Sequence, residues 1–129
     1  MKTLIAEDDF TSRILLQAFL SKYGECHLAA NGKEALDGFR LAIQEGRPYD
    51  LICMDILMPE MDGHEAVKEI RALERRHGST CRTTIIMTTG LNDVGNVVRA
   101  AKALCDAYLL KPIDTSKLLK HLKSFELVV

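Results

Sequence analysis

Net charge is nearly absent, since 17 basic residues against 18 acidic ones leave −1. No global field would draw such a chain onto nucleic acid or an anionic membrane, so any charge-driven chemistry must be local. Paired cysteines are missing as well. Cys26, Cys53, Cys81 and Cys105 stand far apart, with no C-x-x-C and no histidine at zinc-finger spacing. That argues against a zinc framework and leaves four small hydrophobes expected to be buried. Long apolar runs are missing too. The stretch from Met1 to Ala6 meets an acid at Glu7, too early for a signal peptide and far too early for a membrane span, so a cytoplasmic location is expected. Nor is there a low-complexity stretch, a long linker, or a repeat beyond one strand plus one helix. What remains is 129 residues, 47% hydrophobic and 27% charged. This fits one domain, 1–129, able to bury a core without disulfides or a structural metal.

Short apolar runs alternate with segments of helical period five times over. Thr3 to Ala6 precedes a segment that places Ile14, Leu15, Ala18 and Phe19 on one face, closed by Gly24. Cys26 to Ala30 precedes a helix carrying Ala35, Leu36, Phe39, Ala42 and Ile43, which Gly46 and Pro48 end. Leu51 to Met54 precedes a turn and then a helix with Ala66, Val67, Ile70 and Leu73 inward and Glu65, Lys68, Glu69, Arg71 and Glu74 outward. Thr84 to Thr88 leads to a helix over roughly residues 93–104, and Ala107 to Leu110 leads to a last one with Leu118, Leu119 and Leu122 inward. Unbroken apolar strands imply a sheet covered on both faces, and right-handed strand-helix-strand crossovers make it parallel. The expected fold is α/β, a doubly wound five-stranded parallel sheet.

Ligands of such a sheet bind beyond the carboxyl ends of its strands. The informative polar residues fall there: Glu7-Asp8-Asp9, Asp55, Thr88-Thr89-Gly90 and Lys111-Pro112. Each has an ordinary explanation alone. Acids after a strand cap the next helix, Asp55 and Asp62-Gly63 suit turns, and a lysine is usually solvated. Their joint position on one edge outweighs those readings. Two carboxylates 4 Å apart repel by roughly 4 kcal/mol at an effective dielectric of about 20, so the cluster requires a cation. Mg²⁺ (or Mn²⁺) suits it, because such ions take oxygen ligands, keep waters and are held by one or two carboxylates plus a phosphate. With the metal and the Lys111 ammonium in place, Asp55 stays ionised and can act as the nucleophile that forms an aspartyl phosphate. Arg75, Arg76, His77 and Arg82 read as a solvated helix end and loop.

Taken together, Glu7-Asp8, Asp55 with the following Ile56-Leu57-Met58-Pro59-Glu60-Met61-Asp62-Gly63, Thr89-Gly90 and Tyr108-Leu109-Leu110-Lys111-Pro112 resemble the receiver domain of two-component response regulators. The resemblance covers essentially the whole chain. It implies a flavodoxin-like (βα)5 fold with strand order 2-1-3-4-5, phosphorylation at Asp55, and a metal held by Asp8 directly, Glu7 through water, Asp55 and the backbone carbonyl of Leu57. Thr89 would hydrogen-bond the phosphoryl group, Lys111 would pair with it, the Lys111–Pro112 bond would be cis, and Tyr108 would switch with Thr89. Asp9 rivals the acidic pair and Thr88 rivals Thr89. Arg13, five residues after Asp8, and the 22-residue step from Thr89 to Lys111 favour the assignments given. Two departures from the family pattern, Thr84 in place of a proline and extra residues around Gln44 to Arg47, leave the site untouched.

The resemblance further implies a histidine kinase or histidine phosphotransfer protein as donor. It also implies a downstream protein target reached through the fourth helix, fifth strand and fifth helix, and a monomer or phosphorylation-dependent dimer. Direct contact with nucleic acid or membrane is not expected. An enzyme acting on other molecules is a weaker alternative. Phosphatases with a nucleophilic aspartate usually carry a second acid two residues later, where Leu57 stands here.

Overall fold

The computed structural model describes residues 1–78, 82–90 and 104–129. Five strands, β1 (Lys2–Ala6), β2 (Glu25–Ala29), β3 (Leu51–Asp55), β4 (Thr84–Thr89) and β5 (Ala107–Leu110), form one parallel sheet in the order β2-β1-β3-β4-β5. The order reverses between β1 and β3, as in a doubly wound sheet. The helices α1 (Phe10–Leu20), α2 (Gly32–Gln44), α3 (Gly63–His77) and the C-terminal helix (Thr115–Ser124) cover its faces. The helix expected over residues 93–104 lies outside the described residues except for Leu104, which sits in a turn.

Each of these four α-helices starts on an Asx cap. Asp9, Asn31, Asp62 and Asp114 accept hydrogen bonds from the amides of Ser12, Glu34, Glu65 and Ser116, supplying partners for groups that a helix end leaves unpaired. The side chains of β3 alternate between two cores. Ile52 and Met54 join Phe39, Ala66, Val67 and Ile70 on the α2/α3 side. Leu51 and Cys53 join Leu16, Leu20, Leu118 and Leu122 on the other. Removing a fully buried aromatic such as Phe39 from a core of this kind costs about 3–5 kcal/mol.

Four expectations need correction. The sheet is not covered throughout: Glu25, His27 and Leu28 of the edge strand β2 are exposed, because an edge strand has a neighbour on one side only. The buried stripe of α1 is Ser12, Leu16 and Leu20, flanked by half-buried Leu15 and Phe19, while Ile14 and Ala18 face outward. Glu74, also expected outward, is drawn in with 11% of its side chain exposed, and Arg71 is buried rather than solvated. Its guanidinium meets Glu74, Asp106 and the carbonyls of Thr83 and Leu104 at 2.8–3.0 Å, which satisfies its donors inside. Of the cysteines, Cys53 is buried but Cys26 and Cys105 are only partly so, and Cys81 lies outside the described residues.

Candidate functional site

Strand register sets the site residues side by side. Ala6 pairs with Met54, Asp55 with Thr88 and Thr89 with Leu110. Glu7 and Lys111, one residue past their strands, therefore flank Asp55 from opposite sides. Backbone hydrogen bonds prolong the ladder through this edge: the amides of Glu7, Ile56 and Lys111 donate to the carbonyls of Ala29, Thr88 and Thr89 at 3.2, 3.0 and 2.7 Å.

Three carboxylates converge. Glu7, Asp8 and Asp55 each bring an oxygen within 4.8 Å of the others. Glu7 is wholly buried and Asp55 is 5% exposed, whereas Asp8 opens to solvent. Lys111 Nζ lies 2.6 Å from Glu7 Oε1 and 3.2 Å from Asp55 Oδ2. Thr88 Oγ1 donates to Glu7 Oε2 at 3.1 Å, and the Asp9 amide approaches Glu7 Oε1 at 3.4 Å. The Asp9 carboxylate is turned to the start of α1. Its hydrogen bonds from Ser12 hold its carboxyl below the usual range.

The electrostatics of this cluster suit a cation. Burial, followed by the hydrogen bond and charge of Glu7, pushes the Asp55 carboxyl up to about 8, with Lys111 pulling the other way. Burial also opposes the charge on Lys111, but Glu7 and Asp55 outweigh it and hold the ammonium above the usual lysine range. One ammonium among three carboxylates leaves an excess of negative charge at an all-oxygen donor set. That is the chemistry a hard divalent cation matches.

The loop after β3 is pressed onto the site by Asp62-Gly63. A Cβ on Gly63 would fall 2.1 Å from the Asp55 carbonyl oxygen, so only glycine allows α3 to start this close. The Gly63 amide donates to Ile56 O at 2.7 Å, and Asp62 caps α3 by accepting from the Glu65 amide. Leu57 occupies the same loop with its side chain half exposed.

The other expected residues are placed differently. Thr89 is buried and its hydroxyl donates to the Gly90 carbonyl at 3.3 Å, with no hydrogen bond to Asp55. Tyr108 stands on β5, partly exposed, above a hollow shared with Leu110, Lys117 and His121. The Lys111–Pro112 peptide is cis. Sequence reasoning weighed Thr88 only as a rival of Thr89 and missed its bond to Glu7. The one available signal was strand alternation, which turns two consecutive residues to opposite faces.

A doubly wound sheet with an acidic, lysine-bearing carboxyl edge defines a class of α/β modules, and comparison with known proteins gives the family. The model of the response regulator receiver domain matches residues 3–123. A probable histidine kinase of Oryza sativa subsp. indica is 33% identical over 130 residues, covering 93% of this chain and 12% of the kinase. Regulatory protein AtoC of Escherichia coli is 36% identical over 115 residues, covering 89% of this chain and 23% of its own length. The chain thus spans only a small part of the curated relatives it matches. Among solved structures, the receiver domain of a Pseudomonas aeruginosa sensor histidine kinase, with a magnesium ion coordinated in its active site cleft, superposes with a TM-score of 0.77. It is 28% identical, with 96% of this chain and 95% of that chain covered. A chain from the Saccharomyces cerevisiae complex between a histidine phosphotransfer protein and the receiver domain of its downstream response regulator gives a TM-score of 0.78. Its identity is 29%, with coverage of 97% and 88%. This chain belongs to the response regulator receiver domain family, the phospho-acceptor switches of two-component signalling.

Proposed function

We propose that Asp55 accepts the phosphoryl group, in a site that holds Mg²⁺ (or Mn²⁺) through Asp8, Asp55, the Leu57 carbonyl and, by way of water, Glu7. The convergence of three carboxylates within 4.8 Å, beside Lys111, carries this reading. When bound, the metal neutralises charge on the carboxylates and on the incoming phosphoryl oxygens. A carboxylate oxygen of Asp55 attacks phosphorus, the P–N bond of a phosphohistidine breaks, and the electron pair leaves with the imidazole. The product is an aspartyl phosphate. Lys111 stays within reach of the transferred group, and its charge offsets that of the phosphoryl oxygens.

The donor is a histidine kinase or a histidine phosphotransfer protein, and the chain acts on itself alone, in the cytoplasm. Thr89 turns from Gly90 to a phosphoryl oxygen, and Tyr108 moves into the space vacated. The surface of β5 and the C-terminal helix, together with the segment 93–104 expected to be helical, then presents itself to a protein target. The test is phosphotransfer: a labelled histidine phosphotransfer domain should pass its phosphoryl group to this chain with Mg²⁺ and not with excess chelator. Equal transfer in both conditions would overturn the metal-dependent reading.

A further inference from the structure

Among the described residues the Thr88 hydroxyl makes one hydrogen bond, to Glu7 Oε2 at 3.1 Å, and Thr88 is 1% exposed. Glu7 is the most deeply buried acid of the site. Besides Thr88 it meets Lys111 at 2.6 Å, the distant Asp9 amide and the neighbouring Asp55 carboxyl, and of these only Lys111 brings a positive charge. A buried carboxylate stripped of its partners is costly, and removal of one member of a buried pair exposes that cost. Lys111 is also the group that faces Asp55. On the phospho-acceptor reading above, Lys111 must shift from Glu7 toward the phosphoryl oxygens as transfer proceeds. Glu7 then depends on what does not move. Thr88 sits within β4, paired across the ladder with Asp55, so its hydroxyl is fixed by the sheet.

We infer that Thr88 is a positioning residue of the site. Its hydroxyl clamps Glu7 Oε2, keeping Oε1 directed at Lys111 and the metal position while Lys111 changes partners. It acts through Glu7 and touches neither phosphoryl group nor metal. This inference rests on the proposed acceptor role of Asp55 for its kinetic consequence, but its effect on metal binding does not require phosphorylation. Hydrogen-bond partners of direct metal ligands are worth about 10- to 100-fold in metal affinity, and a partner of Glu7, which reaches the metal through water, falls at the low end.

The experiment uses the full chain with Thr88→Val, which keeps the shape and removes the hydroxyl, and Thr88→Ser, which keeps the hydroxyl. Mg²⁺ is titrated while amide resonances of residues 7–9 and 55–57 are followed, and acetyl phosphate labelling is measured across the same Mg²⁺ range. Thr88→Val should weaken Mg²⁺ about tenfold and move half-saturation of labelling with it, while Thr88→Ser stays within about twofold of wild type. Melting temperature should fall in Thr88→Val, because the buried Glu7 Oε2 loses its donor, and hold in Thr88→Ser, so Mg²⁺ is titrated well below the melting transition of each variant. If Thr88→Val does not fold, Thr88→Ala takes its place in the same comparison. Mg²⁺ affinity within about twofold of wild type in the hydroxyl-free variant would overturn the inference, as would equal impairment by serine, which would make packing the cause. A wild-type chain that binds Mg²⁺ but takes no phosphoryl group would defeat the acceptor reading instead, leaving the Mg²⁺ titration to decide on Thr88.

Discussion

Lys111 Nζ is nearer to Glu7 Oε1, at 2.6 Å, than to Asp55 Oδ2, at 3.2 Å. The lysine is thus part of the resting structure, pairing a buried acid, before it has any part in chemistry. Lys111→Met should leave Glu7 without its ammonium and destabilise the chain by about 3 kcal/mol in the presence of chelator, the low end for a broken buried pair because Lys111 itself is partly exposed. Urea unfolding checks this, and a loss under about 0.5 kcal/mol would mean that water or another donor takes over.

Asp55 gives a pH signature of definite sign. Its folded-state carboxyl is raised to about 8, so between its ordinary value of 3.8 and that point the folded chain holds a proton the unfolded chain has lost. Stability without divalent cation should therefore decline as pH rises through this window and level off above it. Asp55→Asn removes the effect. The variant should exceed wild type by about 1–3 kcal/mol at pH 8, match it near pH 4, and lose most of its advantage when wild type is saturated with Mg²⁺. Unfolding curves at several pH values, with and without Mg²⁺, test the sign; a gap that widens toward acid pH would contradict it.

Thr3 has a fully buried hydroxyl with no partner among the described residues. It shares a face of β1 with Ile5, a member of the core that includes Leu20 and Leu51. Thr3→Val should stabilise the fold by about 1 kcal/mol by removing an unsatisfied polar group without changing side-chain shape. A lower melting temperature would show that the hydroxyl has a partner after all.

The phosphoryl group at Asp55 should be long-lived. Hydrolysis needs a water held in line, and Leu57, two residues on and half exposed beside the site, offers nothing to orient it. Leu57→Asn should shorten the phosphoryl lifetime several-fold, as measured by decay of label after the donor is removed. An unchanged or longer lifetime would refute this role for Leu57.

Much of this organisation was legible in the chain. The unbroken run Leu51 to Met54 announced a strand buried on both faces, and all of β3 is buried. Acids, hydroxyls and a lysine at strand ends pointed to one edge because parallel strands put all their carboxyl ends together. The errors occur where tertiary neighbours decide. In α1, apolar residues fill two adjacent stripes, and periodicity cannot say which one the sheet and the C-terminal helix will cover. The stripe of Leu16 and Leu20 is buried, while Ile14 stays outside. Arg71 looked solvated because all its acceptors but Glu74, namely Asp106 and the carbonyls of Thr83 and Leu104, are distant in sequence. Thr88 was hidden for the same reason, its partner Glu7 being 81 residues away.

The central claim is that Asp55 is the phospho-acceptor, and intact-mass analysis after incubation with acetyl phosphate and Mg²⁺ tests it most directly. Wild type should gain a single phosphoryl group, about 80 Da, that is lost on mild alkaline treatment, and Asp55→Asn should gain none. A mass increase of the same size and extent in Asp55→Asn would place the phosphoryl group elsewhere and contradict the account.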